Sequence, residues 1–181
     1  MQFLAYILIY PFLWLISILP FRIFYMFSDC IYLLIYYIIG YRRKIVRDNL
    51  KLVFPEKSDI ELKIIQKKFY KHMCDMFLEM IKSMSISKNQ LKKRFVIKNP
   101  EELKRLENLN KSFIVMFGHY ASYEWSFVVE NYISFKGIGI YKKIANKYFD
   151  RLVKRIRSKY NTTLINTKET IFYLMKFEKN G

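Results

Sequence analysis

The sequence predicts an α/β fold in which one or two apolar membrane helices precede a mixed, mostly parallel sheet with flanking helices. Two observations carry this prediction. The chain begins with two long apolar segments, and after residue 111 short runs rich in β-branched and aromatic residues alternate with helical patterns. Such alternation implies parallel strands joined by right-handed crossovers. We therefore divide the chain into a membrane anchor (1–41), a basic helical segment (42–111) and a partial α/β domain (112–181).

The anchor is predicted from the absence of charge at the start of the chain. Arg22 is the first charged residue, and about 20 apolar residues are what a bilayer-spanning helix needs. A second apolar segment, 23–41, carries only Asp29, and it either spans the bilayer or lies in the interface. Four Lys and Arg residues within 42–47 then predict, by the positive-inside rule, that the body that follows is cytoplasmic.

The composition indicates a protein that lies against an anionic membrane surface. The chain has a formal charge of +17 and is 52% hydrophobic, and each Lys or Arg near an anionic surface contributes about 1 kcal/mol. Basic and aromatic residues do not alternate in the ordered way that favours nucleic acid, so we expect no nucleic-acid partner. The basic charge also suits an acidic protein partner.

The middle of the chain is predicted to be helical. Ser58 and Glu61 have the spacing of a capping box, which predicts a long helix over 58–84. A shorter helix is expected around 101–107. The apolar residues of the long helix recur at helical spacing and predict its buried face. They are Leu62, Ile65, Phe69, Met76 and Met80.

Candidate catalytic residues follow the first predicted strand, 112–117. Gly118 ends the strand, His119 lies beyond it, and Glu124 lies in the next predicted helix, 121–131. In open α/β sheets, ligands bind beyond the carboxyl ends of the strands. A histidine oriented by a carboxylate can take a proton from a hydroxyl. The spacing alone is equally consistent with a structural histidine.

The chain offers no obvious nucleophile of its own. It contains no G-x-S-x-G motif, and Cys30 and Cys74 lie far upstream in apolar segments. A histidine–acid pair without a protein nucleophile suggests that a substrate hydroxyl attacks. We expect no metal, because His72 with nearby carboxylates lacks further ligands, and no other cofactor.

The remaining segments continue the alternation of strands and helices. A second strand is predicted over 137–141 with Lys142 at its end, and a basic amphipathic helix over 146–159. A third strand over 162–165 and a helix over 166–177 complete the pattern. Because three strands are too few to cover these helices, we expect the sheet to be unfinished and the sequence to be part of a longer protein.

Four blocks in the same order resemble the lysophospholipid and lipid A biosynthesis acyltransferases, in particular the lauroyl/myristoyl branch. GHYASYEW (118–125) is similar to the H-x4-[DE] block of that family, and the R-D-N-L and F-P segments within 47–55 are similar to its upstream block. YKKIAN (141–146) and the basic helix end at 155–158 are similar to two downstream blocks. The family's later D-Q block is not in this sequence.

The resemblance implies a glycerolipid acyltransferase-like fold. It also implies transfer of an acyl group from acyl-carrier protein or acyl-CoA to a hydroxyl of a lipid A precursor or related lipid. His119 would be the base and Glu124 would orient it. Lys142, Asn146 and Arg157 would bind substrate phosphate or stabilise the oxyanion. The implied location is the cytoplasmic face of the inner membrane of a Gram-negative bacterium.

The pattern also departs from that of the family. Lys142 stands where the family has Arg, and Lys143 where it has Pro. Lysine cannot reproduce the bidentate contacts of arginine. Three alternatives stay open: a lysophospholipid acyltransferase, an aminolipid acyltransferase, and a catalytically inert, membrane-anchored basic fragment. In the last case Lys142 and Arg157 are surface cations at the membrane interface.

Overall fold

The structure, a computed structural model, describes residues 2–159 and 162–180, and it is mostly helical with a small parallel sheet. The α-helices and strands are α1 (Gln2–Ile18), α2 (Phe21–Leu33), α3 (Arg43–Val53), α4 (Asp59–Lys82), α5 (Lys88–Arg94), α6 (Pro100–Asn108), β1 (Ile138–Tyr141), α7 (Lys147–Arg157), β2 (Thr163–Asn166) and α8 (Thr170–Asn180). A π-helical segment (Leu34–Ile39) extends α2, and a 3₁₀-helix (Tyr123–Asn131) precedes β1.

The two apolar segments of the N-terminus form separate helices. Pro20, which has no N–H to continue α1, precedes the first residue of α2. The π-helical segment ends at Gly40, whose φ of 66° is in the left-handed region that favours glycine. By length and composition alone, Phe21–Ile39 (19 residues) is one helix in the described chain that could cross a membrane.

One side of α2 is attached to the charged helix α4 by polar contacts. The Ser28 hydroxyl donates to Asp75 at 2.6 Å, and Asp29 pairs with Lys71 at 2.8 Å. The opposite side of α2 exposes large apolar residues. The second apolar segment therefore has one side packed on α4 and the other side exposed.

Helix α4 begins as predicted, but of the five residues predicted to be buried only Leu62 is fully buried. The reciprocal Ser58–Glu61 capping box is present, and the helix runs for 24 residues. Phe69, predicted to be buried, is 45% exposed. The buried row includes polar side chains that form hydrogen bonds with the N-terminal helices. Hydrophobic periodicity does not identify such residues as buried. The members of this row, at intervals of four residues, are Leu62, Gln66, Tyr70, Cys74, Leu78 and Lys82.

Substituting Ser58 by alanine is expected to lower the free energy of unfolding by about 1 kcal/mol, because the first turn of α4 loses its capping acceptor. Thermal unfolding of the chain in detergent, followed by circular dichroism, would measure this. Ser58→Thr keeps the hydroxyl and serves as the control. Equal unfolding temperatures for the two variants would contradict the capping role.

The sheet contains two strands within residues 2–159 and 162–180. β1 and β2 are parallel, with Ile138 opposite Thr163 and Tyr141 opposite Asn166, and α7 connects them. The predicted strands 137–141 and 162–165 and the helix between them are confirmed. The α/β class is thus supported in part, with a sheet smaller than predicted.

The predicted strand 112–117 is wrong. This segment has no regular secondary structure, and Ile114 and Met116 are each 89% exposed. β1 and β2 pair with each other, and the segment has no strand among the described residues with which to exchange hydrogen bonds. The helix predicted over 121–131 is a 3₁₀-helix that begins at Tyr123, since Ala121 adopts a left-handed φ of 47° and cannot be part of a right-handed helix.

The core cluster holds the 3₁₀-helix against α4 and α5. Trp125 Nε1 lies 3.3 Å from the Glu79 carbonyl oxygen and 3.1 Å from Ser83 Oγ, which fixes the ring to the last turn of α4. These contacts fix the residues that follow His119. The cluster consists of Ile86, Leu91, Trp125 and Val128, with Phe21, Phe95 and Tyr132 packed around it.

Candidate active site

Glu124 and Arg157 form a largely buried, bidentate ion pair. Arg157 Nε donates to Glu124 Oε2 at 3.0 Å, and Arg157 Nη2 donates to the other carboxylate oxygen. The side chains are 5% and 22% exposed, respectively. Paired donors in this geometry are among the stronger charge-assisted interactions in proteins. The pair joins the first turn of the 3₁₀-helix to the last residue of α7.

His119 is exposed and lies beside Tyr123. The two ring centroids are 4.4 Å apart and the rings are inclined by 59°. No hydrogen bond joins His119 to Glu124 in the part of the chain that the structure describes, so the dyad stays a prediction. Burial raises the pKa of the Tyr123 hydroxyl, and the neighbouring charge of Glu124 raises it further. The hydroxyl therefore stays protonated and able to donate near neutral pH.

Glu79 is a site residue that the sequence interpretation missed. Its carboxylate accepts a hydrogen bond from the Tyr25 hydroxyl at 2.6 Å and another from the Ser122 hydroxyl. These bonds connect α2, α4 and the turn that carries His119. A buried carboxylate with two hydroxyl donors is well satisfied without a cation. In the sequence, Glu79 is an acidic residue next to an apolar position of α4. Sequence alone does not distinguish such a residue from a surface residue, so its burial could not be predicted.

Asn146 and Lys142 lie at the other end of α7. The Asn146 side-chain oxygen accepts from the backbone N–H groups of Tyr148 at 3.0 Å and Phe149 at 3.4 Å, so this residue caps the helix. Lys142 is exposed just after β1. At a rise of 1.5 Å per residue, the backbone of Asn146 is about 16 Å along the helix axis from that of Arg157.

The predicted site residues therefore fall into two groups. Glu124 and Arg157 are in contact, with His119 nearby in sequence and exposed. Lys142 and Asn146 lie at the carboxyl end of β1, as predicted for a crevice residue. The backbones of Asn146 and Arg157 are too far apart for both side chains to hold one phosphate. The substrate-binding roles of Lys142, Asn146 and Arg157 stay predictions.

The chain matches the model of the bacterial lipid A biosynthesis acyltransferase family over residues 1–181. It therefore belongs to that family and is an acyltransferase, as the ordered sequence blocks predicted. Proteins of this family are bacterial and associated with membranes, and the apolar helix Phe21–Ile39 agrees with that property. No curated protein and no solved structure matched the chain in the corresponding comparisons.

Proposed function

We propose that the chain transfers a fatty acyl group from the thioester of acyl-carrier protein or acyl-CoA to a hydroxyl of a lipid A precursor, with His119 as general base. The observation that supports this most directly is the combination of an exposed imidazole with a buried, anchored carboxylate five residues later. An exposed base can reach a lipid hydroxyl, and a fixed carboxylate can orient it.

The proposed reaction needs one proton carrier. As the acceptor oxygen forms a bond to the thioester carbonyl carbon, its proton passes to the unprotonated ring nitrogen of His119. Collapse of the tetrahedral intermediate breaks the carbon–sulfur bond, and the thiolate leaves with the proton returned by the imidazolium. The products are the acylated lipid and the free thiol of the donor, and His119 returns to its unprotonated form.

Arg157 is proposed to act through Glu124 as a positioning residue. A carboxylate can accept about four hydrogen bonds, and Arg157 donates two to Glu124, which leaves acceptor positions for a ring N–H of His119. Hydrogen bonds of a catalytic site are often long before substrate binds and shorten in the complex. The contact with Tyr123 keeps the imidazole beside the residue that precedes Glu124.

Lys142 and Asn146 are proposed to bind a phosphate of the donor or the lipid at the far end of α7. Lys142 is exposed, and the Asn146 amide nitrogen has only one contact, 3.4 Å from the Gln2 carbonyl oxygen, in the described chain. A phosphate there would be separate from the acyl group that reacts near His119. This arrangement suits a long substrate rather than a small one.

We also propose that residues 1–41 associate with the inner membrane and that the body lies on its cytoplasmic face, as the Lys and Arg residues within 42–47 predict by the positive-inside rule. The Asp29–Lys71 pair joins α2 to α4, which is rich in lysine, and placing it in hydrocarbon would be costly. This favours an interfacial position for α2, with its exposed apolar side toward the lipid.

Acyl transfer by membranes that contain the full chain would test the proposal. The assay supplies radiolabelled acyl-carrier protein or acyl-CoA with a lipid A precursor, a lysophospholipid or an aminolipid, and mass spectrometry identifies the product. We expect the lipid A precursor to gain one acyl group. Acylation confined to the lysophospholipid or the aminolipid would assign the chain to those substrates instead. Absence of transfer to all three would contradict the proposal.

A further inference from the structure

The break between α1 and α2 opens onto a basic cleft whose lining residues do not include His119. Two adjoining cavities, of about 360 and 370 Å³, share Phe21 and Gln90 as lining residues. The first lies over the end of α4, and the second lies along α5. The polar residues that line the two cavities are Lys82, Ser85, Gln90, Lys93 and Arg94.

Lys82 is a buried cation at the floor of this cleft. It is 5% exposed, and its ammonium group donates to the carbonyl oxygens of Ser17 at 2.6 Å and Leu19 at 2.5 Å. These two carbonyls lie at the end of α1, and they use two of the three ammonium protons. No carboxylate pairs with Lys82 within residues 2–159 and 162–180. The ammonium therefore keeps a third proton to donate, and no carboxylate of those residues neutralises its charge.

Arg94 and Lys82 both lie against the aromatic ring of Phe21. Its guanidinium carbon lies 3.4 Å from the ring centroid of Phe21, and the ammonium nitrogen of Lys82 lies 4.8 Å from it. Burial lowers the pKa of Lys82, and the charge of Arg94 lowers it further, so the two cations repel each other. Arg94 also has no carboxylate partner among the described residues. An anion bound between them would relieve this repulsion.

We propose that the cleft binds the phosphate of an anionic phospholipid headgroup. The planar fork of Arg94 matches phosphate oxygens, and Lys82 in one cavity and Lys93 in the other add positive charge. The side-chain nitrogen of Gln90 has no acceptor in the described chain and can donate as well. The side-chain oxygen of Gln90 is already directed to the N–H of Ser87, 3.5 Å away, as part of the cap of α5.

The apolar surroundings favour a lipid over free phosphate. Ile18 and Phe21 line the cleft, and the outer sides of α1 and α2 expose large apolar residues next to it, including Leu15 and Ile23. A lipid whose phosphate occupies the cleft can lay its acyl chains along these helices and cover them. Such binding would hold the α1–α2 junction at the membrane surface. It involves none of the residues assigned to acyl transfer, so it does not depend on the acceptor that is acylated.

Native mass spectrometry of the full chain in zwitterionic detergent would test this site. Phosphatidylglycerol, phosphatidylcholine and inorganic phosphate are supplied as probes. We expect one phosphatidylglycerol to bind in preference to phosphatidylcholine, and inorganic phosphate not to displace it at equal concentration. Arg94→Gln should weaken this complex about tenfold, the effect expected from losing one charge-assisted interaction. Arg94→Lys, which keeps the charge, should retain part of the affinity.

Lys93→Gln and Lys98→Gln form a matched pair, because each removes one positive charge but only Lys93 lines the cleft. We expect the first to weaken binding and the second to leave it unchanged. Equal affinity of the Arg94→Gln, Lys93→Gln and Lys98→Gln proteins would overturn the proposal. Equal binding of phosphatidylcholine would also overturn it, and so would displacement by inorganic phosphate.

Discussion

Replacing His119 by alanine is expected to lower the rate of acyl transfer by about 10²- to 10⁴-fold, the contribution typical of a general base. The acceptor hydroxyl would then have to lose its proton to water. Because His119 is exposed and makes a ring contact only with Tyr123 in the described chain, its removal should leave the unfolding temperature nearly unchanged. A large loss of activity without a loss of stability would separate a catalytic role from a structural one.

The chain supplies its own control for this experiment. His72 is the other histidine of the sequence, it is also exposed, and it lies on α4. We expect His72→Ala to transfer acyl groups at the rate of the unmodified chain. If His119→Ala and His72→Ala are equally active, His119 is not the base. The assay is the membrane transfer reaction with the acceptor that the unmodified chain acylates.

Substituting Arg157 by methionine is expected to destabilise the protein by roughly 3 kcal/mol, because it leaves the buried Glu124 carboxylate without its partner. Adding Glu124→Gln to Arg157→Met should restore much of this stability, since the uncompensated charge is gone. Activity should not return in the double variant, because the carboxylate proposed to orient His119 is absent. Chemical unfolding in detergent and the transfer assay would measure the two effects separately.

Arg105 provides the matched control for this second prediction. It also makes a bidentate pair, with Glu102, at 2.8 Å for one of the two contacts, but both side chains are more than half exposed. We expect Arg105→Met to change stability by less than about 1 kcal/mol, as is usual for exposed pairs. If Arg157→Met and Arg105→Met lower the free energy of unfolding by similar amounts, burial does not make the Glu124–Arg157 pair more important for stability than an exposed pair.

Together, the buried pair and the buried Glu79 describe how the turn before the 3₁₀-helix is held. Glu79 accepts from Ser122, and Arg157 binds Glu124, so both sides of Tyr123 are fixed to other helices. His119 precedes these fixed points and is free of such contacts among the described residues. The proposed base is therefore exposed next to residues that are fixed in place, which suits a residue that must meet a lipid substrate.

The local features of this protein could be predicted from its sequence alone. The sequence correctly predicted the capping box at Ser58, the strands β1 and β2, and the family blocks around His119. Each of these features depends on residues that are close together in the chain. Helix caps and strand patterns act over a few residues, so no knowledge of the tertiary fold is needed to recognise them. The family assignment likewise rests on the order of short motifs.

The partners of the charged and polar residues could not be predicted from the sequence, because they lie on distant segments that the fold brings together. Glu124 pairs with Arg157 across a separation of 33 residues. Lys82 is buried beneath the end of α1, although a lysine in a sequence usually indicates a surface position. The apolar run 112–117 has the composition of a strand but has no neighbouring strand with which to pair among the described residues. Strand pairing and burial of charge depend on which distant groups packing brings together, and local sequence does not encode that choice.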